Sequence, residues 1–345
     1  MSSGRPGISA VHPLWAVEGG VVTVAGSGFP VDPFPDVRIG GTPARLLRAS
    51  SQALTVVVPG GLEGGRTPIR VDGAPGETAY VEVGAPLATG LHQVDNPAFD
   101  AEGNLYVTFS GARGQESPVS VFVVRPDGSR EPFVSGVPNP TSMTFGADGQ
   151  LYVSSRFDGS VYRIAGDGSA TTFATDLGVA CGIAFGREGA LYVGDRSGSV
   201  LRVSDGNVSL FATLPASVAA FHLAFGPDGA LYVAAPTLAS RDSIYRIAPS
   251  GIIEVFYHGF GRPQGLAFDA QGRLYVVDSL AGASGVYRFT LGQPAPPEQV
   301  VVGGALIGLA FDPRGGLVLA SSDTVYRLNV PLQGVLAAGT SGVRT

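Results

Sequence analysis

The chain has 345 residues, with 22 basic and 28 acidic side chains and a formal net charge of −6. All 22 basic residues are arginine, so Schiff-base, P-loop and kinase-type lysine chemistry is excluded. Those arginines are scattered, which excludes a general nucleic-acid surface or a polybasic membrane patch.

A single cysteine, Cys181, leaves no internal disulfide and no CxxC metal or redox motif. No apolar run reaches the roughly 18 residues of a spanning helix, so no membrane insertion is expected. The opening Met1–Pro6 has no apolar stretch of signal-peptide type. The expectation is a cytoplasmic chain as it stands, or an exported one whose leader is absent.

Residues 6–84 read as short strands around Ile8–Val11, Val21–Ala25, Val37–Ile39, Leu54–Val58, Thr67–Val71 and Tyr80–Val83. Turn-rich punctuation between short alternating runs predicts a small β-sandwich. Trp15 is expected to pack in its core.

From residue 85 the chain repeats. The phrase Phe-x-x-x-Gly-x-Leu-Tyr-Val starts at Phe99, Phe145, Phe185, Phe225 and Phe268, with a worn copy at Phe311; the spacings are 46, 40, 40, 43 and 43 residues. A second phrase, Val161-Tyr162-Arg163-Ile164, also recurs in each unit. Six copies at this period predict four short strands each: one ending in the Phe, then the Leu-Tyr-Val, Tyr-Arg and Thr/Phe runs. The fold class is therefore all-β, a small Ig-like sandwich followed by a six-bladed propeller over 85–345. Two segments compete to close the ring, Gly334–Ala338 and Ala85–Gly90. The repeated Tyr and Arg serve the blade, the Arg pairing with the turn Asp of a neighbouring unit. The Asp127-Gly128 and Asp205-Gly206 pairs fit hairpin turns, since no DxDxDG calcium loop is present.

Pro13, the run Gly19–Phe29 and Val56-Val57-Val58-Pro59 resemble a TIG (IPT) domain, which implies an immunoglobulin-like spacer or interaction module without chemistry. The repeat phrases resemble NHL repeats and, equally, regucalcin/gluconolactonase-type propellers. That resemblance implies one divalent cation, calcium or another, at the channel mouth, held by Glu, Asn and Asp at the starts of inner strands. The family's Glu-Gly-Pro-x-Trp phrase matches Asp95-Asn96-Pro97-Ala98-Phe99. The other units carry Thr141, Cys181, Phe221, Gln264 and Ile307 four residues before the Phe. Asp95 and Gln264 would thus be the remnant of a degenerate metal site.

Asn96 and His222 stand three before their Phe, on the opposite strand face by period-two alternation. His222 reads either as a base, with Asp95, or as a histidine hydrogen-bonded between blades. Cys181 reads as a reactive thiol or a small buried residue. The loops after the second strands supply His92, Arg113, Glu116, Arg156, Asp195, Arg241 and Asp278, a mixed rim suited to a polar or anionic ligand or to ordinary surface pairing. Three functions follow. The first is a binding or scaffold propeller with a TIG spacer, probed by a small polar molecule, a glycan or a protein and monomeric. The second is a divergent metal-dependent lactonase. The third is a lyase using His222 with rim arginines.

Overall fold

The computed structural model describes residues 6–333 apart from 75–77, 113, 115, 116, 281 and 294. Every regular element is a strand. No helix is long and apolar enough to cross a membrane among the described residues.

The N-terminal sandwich contains β1 (Gly7–His12), β2 (Trp15–Ala16), β3 (Val21–Ser27), β4 (Val37–Ile39), β5 (Thr42–Ala49), β6 (Ala53–Val57), β7 (Gly65–Val71) and β8 (Ala79–Val83). Valine, leucine and isoleucine at alternate positions of β3, β4, β6 and β7 turn inward and form its core. β5 escapes prediction because Pro43, Arg45 and Arg48 interrupt its apolar pattern and much of it is exposed.

β9 (Ala85–Ala88) follows, and then the blades. Blade I is β10 (Ala98–Phe99), β11 (Leu105–Thr108), β12 (Val121–Val124) and β13 (Arg130–Val134). Blade II is β14 (Pro140–Phe145), β15 (Leu151–Ser155), β16 (Ser160–Ile164) and β17 (Ala170–Ala174). Blade III is β18 (Ala180–Phe185), β19 (Leu191–Asp195), β20 (Ser199–Ser204) and β21 (Asn207–Thr213). Blade IV is β22 (His222–Phe225), β23 (Leu231–Ala234), β24 (Asp242–Ile247) and β25 (Ile253–Phe260). Blade V is β26 (Pro263–Phe268), β27 (Leu274–Asp278), β28 (Gly285–Phe289) and β29 (Glu298–Val302). Blade VI is β30 (Leu306–Phe311), β31 (Leu317–Ser321), β32 (Val325–Leu328) and β9.

The last blade answers the closure question. β9 pairs antiparallel with β32, Ala88 standing opposite Val325, so the N-terminal side supplies the outermost strand. The competing segment 334–338 lies outside the described residues. Closure joins the two ends of the ring and removes the exposed edges of an open array.

The repeat phrase packs neighbouring blades together. The Leu-Tyr-Val tyrosine of each blade meets the Phe of the next edge-to-face: Tyr106–Phe145, Tyr152–Phe185, Tyr192–Phe225, Tyr232–Phe268 and Tyr275–Phe311, with centroids 4.9–5.4 Å apart. Such pairs add about 0.5–1.5 kcal/mol each beyond area burial. The worn blade VI has Val318 at the tyrosine position, and Phe99 packs there on aliphatic neighbours. Each tyrosine hydroxyl donates to an acid in its own turn, as Tyr152 does to Asp148 at 3.0 Å. The repeat arginine also reaches its own blade's turn acid, as in Arg163–Asp148 at 2.7 Å and Arg246–Asp228 at 2.7 Å. The expected pairing with a neighbouring blade is thus corrected: antiparallel register brings the third strand back beside its own turn.

The two domains share a sheet. β2 pairs in parallel with β8 on one side and with β29 on the other, Trp15 standing opposite both Glu82 and Val301. Blade V is therefore continuous with the sandwich in a 12-stranded sheet, while the other five blades are separate four-stranded sheets. Trp15 packs against the propeller core between blades V and VI, which corrects its expected place inside the sandwich. A two-residue strand has no readable period, and its partner lies almost 300 residues away.

Candidate functional site

Six inner strands surround the channel. They begin at one mouth, called here the entry mouth, and end at their phenylalanines at the other, the exit mouth. Five of them run for four to six residues, but β10 has only two. The chain before β10 does not line up with its blade. Residues Asp95 and Asn96 cut across the channel.

Two glycines make this crossing possible. A β-carbon on Gly308 would come within 2.8 Å of Asn96 Cα, and one on Gly265 would run into Asn96 Oδ1. With that space open, Asn96 Nδ2 donates to the Leu266 carbonyl at 3.1 Å, and Asn96 Oδ1 accepts from the Leu309 amide at 2.9 Å. Asn96 thus completes backbone groups of blades V and VI.

Asp95 meets His222 from the opposite side of the ring. His222 Nδ1 donates to Asp95 Oδ1 at 2.5 Å, and Nε2 lies 3.1 Å from Gln264 Oε1. Asp95 Oδ1 also accepts the Asn96 amide at 2.7 Å. His222 exposes none of its surface and Asp95 only 4%. Blades I and IV are diametrically opposed in a ring of six, so this contact bridges the channel at its waist.

The period-two argument put Asp95 and His222 on different faces, and the structure brings them together. The reason is that the alternation is broken at this level: Asp95 lies outside its strand and His222 is the first residue of its own. β22 starts only at His222 and β10 only at Ala98. The inner strands of blades II, III, V and VI shift register at the same level. A bulge breaks the alternation on which face assignments rest.

The chemistry of the donors decides how well a divalent cation fits. Calcium asks for about six to eight oxygen ligands. Asp95 Oδ1 and Gln264 Oε1 both face the His222 ring. No group of three His, Cys, Asp or Glu side chains that could hold a metal occurs among the described residues. These residues do not fit a resident cation. His222 is equally ill-placed as a base, since both ring nitrogens are engaged and no surface is open to a substrate.

At the entry mouth the other candidates separate. Asp195 accepts the Val179 amide at 2.7 Å and the Ser197 hydroxyl, while Asp278 accepts the amides of Gly261, Arg262 and Leu280 at 2.7–3.2 Å. Both carboxylates end a second strand and pin the loop leading into their own blade. Arg241 is exposed and donates to the Gly259 carbonyl at 3.1 Å, within blade IV. Arg113 and Glu116 lie outside the described residues.

Arg156 lies within electrostatic reach of His92, and Arg156 and Arg196, the latter outside the leading candidates, both lie within reach of Cys181. Arg156 and Arg196 occupy the same place in adjacent blades, five residues after the leucine of Leu-Tyr-Val, and both are half-buried. Arg156 reaches toward the Gly111 carbonyl at 3.5 Å, and Arg196 donates to the Val218 carbonyl at 3.0 Å. Both guanidinium groups bear on Cys181, yet burial dominates and pushes that thiol up to about 12. Cys181 stays protonated, which leaves it a small buried residue. His92 is held below its ordinary value of 6.5, first by burial and then by the Arg156 charge. The signal for Arg196 was available in the register of the repeat: only blades II and III carry arginine there.

The exit mouth is different. It opens into a vestibule of about 430 Å³ with Met143, Ile183, Leu223, Leu266 and Leu309 in its walls and Asp95, Asn96 and Ser142 among its lining residues at the waist.

Comparison with known proteins defines the class of each part. Residues 6–82 match the IPT/TIG domain family. The fold resembles an auxiliary nutrient binding protein from Bacteroides ovatus, with a TM-score of 0.53, 14% identity, and 94% of this chain and 98% of that chain covered. It also resembles a gluconolactonase from Xanthomonas campestris, with a TM-score of 0.57, 18% identity, and 72% and 89% covered. A third similar structure is virginiamycin B lyase from Staphylococcus aureus, with a TM-score of 0.52, 17% identity, and 86% and 100% covered. The search of curated proteins gave no match. The chain is therefore an IPT/TIG module joined to a β-propeller whose structural neighbours are of gluconolactonase and virginiamycin B lyase type. Identities this low carry the fold and not the activity.

Proposed function

We propose that this is a binding propeller that takes a small organic anion at the entry mouth, with the sandwich as a fixed structural neighbour. One observation carries the reading: Arg156 and Arg196 stand half-buried at equivalent positions of adjacent blades, and both lie within electrostatic reach of Cys181. Planar guanidinium groups suit carboxylates and phosphates, and partial burial strengthens the attraction. The lowered His92 agrees with a positive local field, because one of its causes is the Arg156 charge. A binding role also accords with the nutrient-binding proteins among the similar folds. The lactonase reading has less support, since the two residues that would hold its cation face His222 instead.

The test is a calorimetric titration with gluconate, glucuronate and succinate. Binding by the wild type and a loss of about tenfold or more in Arg196→Ala is the expected result. Failure of all three anions to bind, or equal affinity in the variant, would contradict it.

A further inference from the structure

The exit-mouth vestibule has the features of a second, independent site. Its volume of about 430 Å³ falls in the range of about 300–1,000 Å³ typical of small-molecule pockets. Its walls are mainly aliphatic. Small side chains line it too, including Ala224 and Ala310, each only partly buried. The Asp95–His222 contact stands between it and the entry mouth.

Its most telling group is Asp95. This carboxylate is 97% buried as a side chain, and both hydrogen bonds it accepts fall on Oδ1. Oδ2 receives none from the described residues, although Asp95 lines the vestibule. Oδ2 is thus the acceptor left for a ligand or a water in that space. His222 and Gln264 do not line the cavity and offer no donor there. The other charged groups around the space are Asp100 and Arg187. Asp100 is satisfied by Asn104 and Tyr106, and Arg187 is exposed at the rim with its guanidinium on the Pro227 carbonyl at 3.0 Å. Two carboxylates against one solvated guanidinium favour a cation.

We propose that the vestibule binds a small primary amine carried on an apolar body, with the ammonium donating to Asp95 Oδ2 and the body packed against the aliphatic wall. The site is separate from the arginine mouth and takes a ligand of opposite charge.

Fluorine NMR with 4-fluorophenethylamine as the probe tests this, with 1-fluoro-4-propylbenzene as the isostere in which a methyl replaces the ammonium. Wild type is expected to bind the amine and to bind the isostere about tenfold more weakly or worse. Asp95→Asn should weaken the amine by a similar factor. Because Asp95 also supports the waist, the double variant Ala224→Leu/Ala310→Leu is measured alongside it; this one fills the vestibule, leaves the carboxylate alone and should abolish binding. Thermal melts verify that each variant is folded. Absence of amine binding to the wild type, equal binding of the isostere, or unchanged affinity in the folded double variant would overturn the proposal.

Discussion

His222 holds the waist of the channel together from a position where a histidine is expensive to bury. Its ring satisfies Asp95 on one side and Gln264 on the other. Removing His222 takes a hydrogen-bond partner from a buried carboxylate, at a cost of about 1–3 kcal/mol. His222→Ala should therefore lower the free energy of unfolding by about 1–3 kcal/mol, read by urea denaturation; a loss under about 0.5 kcal/mol would mean the contact carries no such weight. His92 gives a pH signature at the other end of the scale. Its value is lowered in the folded state, so between 6.5 and that lower value the unfolded chain binds more protons. Its contribution is intact above 6.5 and is lost as pH falls below it. Unfolding free energies at pH 8 and pH 5 should thus differ more for wild type than for His92→Gln. At this scale the residues of the site were readable as types, but not as neighbours. Asp95, Gln264 and His222 could be singled out by offset from the Phe, whereas their joining depends on register shifts that no side-chain pattern announces.

The blade is the element that the repeat encodes. Aromatic pairs at every Tyr/Phe position weld one blade to the next, and Asp205-Gly206, both residues with positive φ, makes the two-residue turn between β20 and β21. The Phe and Leu-Tyr-Val phrase recurs in five blades with a worn sixth copy, and its spacing makes the ring visible in the sequence. What repetition hides is the departure from it. β10 is shortened, and the glycines at 265 and 308 are empty so that Asn96 can enter. Gly265→Ala should displace Asn96 and cost about 1–3 kcal/mol by overpacking. The check is a melt of the purified variant, and an unchanged midpoint would show that the crossing segment tolerates the added methyl group. β2 and β5 went unseen for other reasons. One is too short to show a period, and the other carries its polar residues on an exposed face.

At the scale of the molecule, the domain junction is a strand and not a tether. Val17, next to β2, lies in the propeller core, while Val302 at the end of β29 lies in the sandwich core. The Val17 amide donates to the Val302 carbonyl at 2.8 Å. Trp15 is the one tryptophan in the chain and stands at this seam. Its fluorescence should change in the same denaturant range as the far-ultraviolet circular dichroism of the whole, because neither domain can leave without breaking β2 from a partner. Two separated transitions would show that the sandwich unfolds on its own. Such a rigid pair suits a protein whose propeller face is held in a fixed direction. The proposed ligand of the entry mouth is an organic anion held by arginine and without a metal. Calorimetric titration of gluconate, glucuronate and succinate into the wild-type protein, once in excess EDTA and once in calcium, tests it most directly. The same affinity is expected in both buffers; binding that appears only with calcium would overturn the arginine reading.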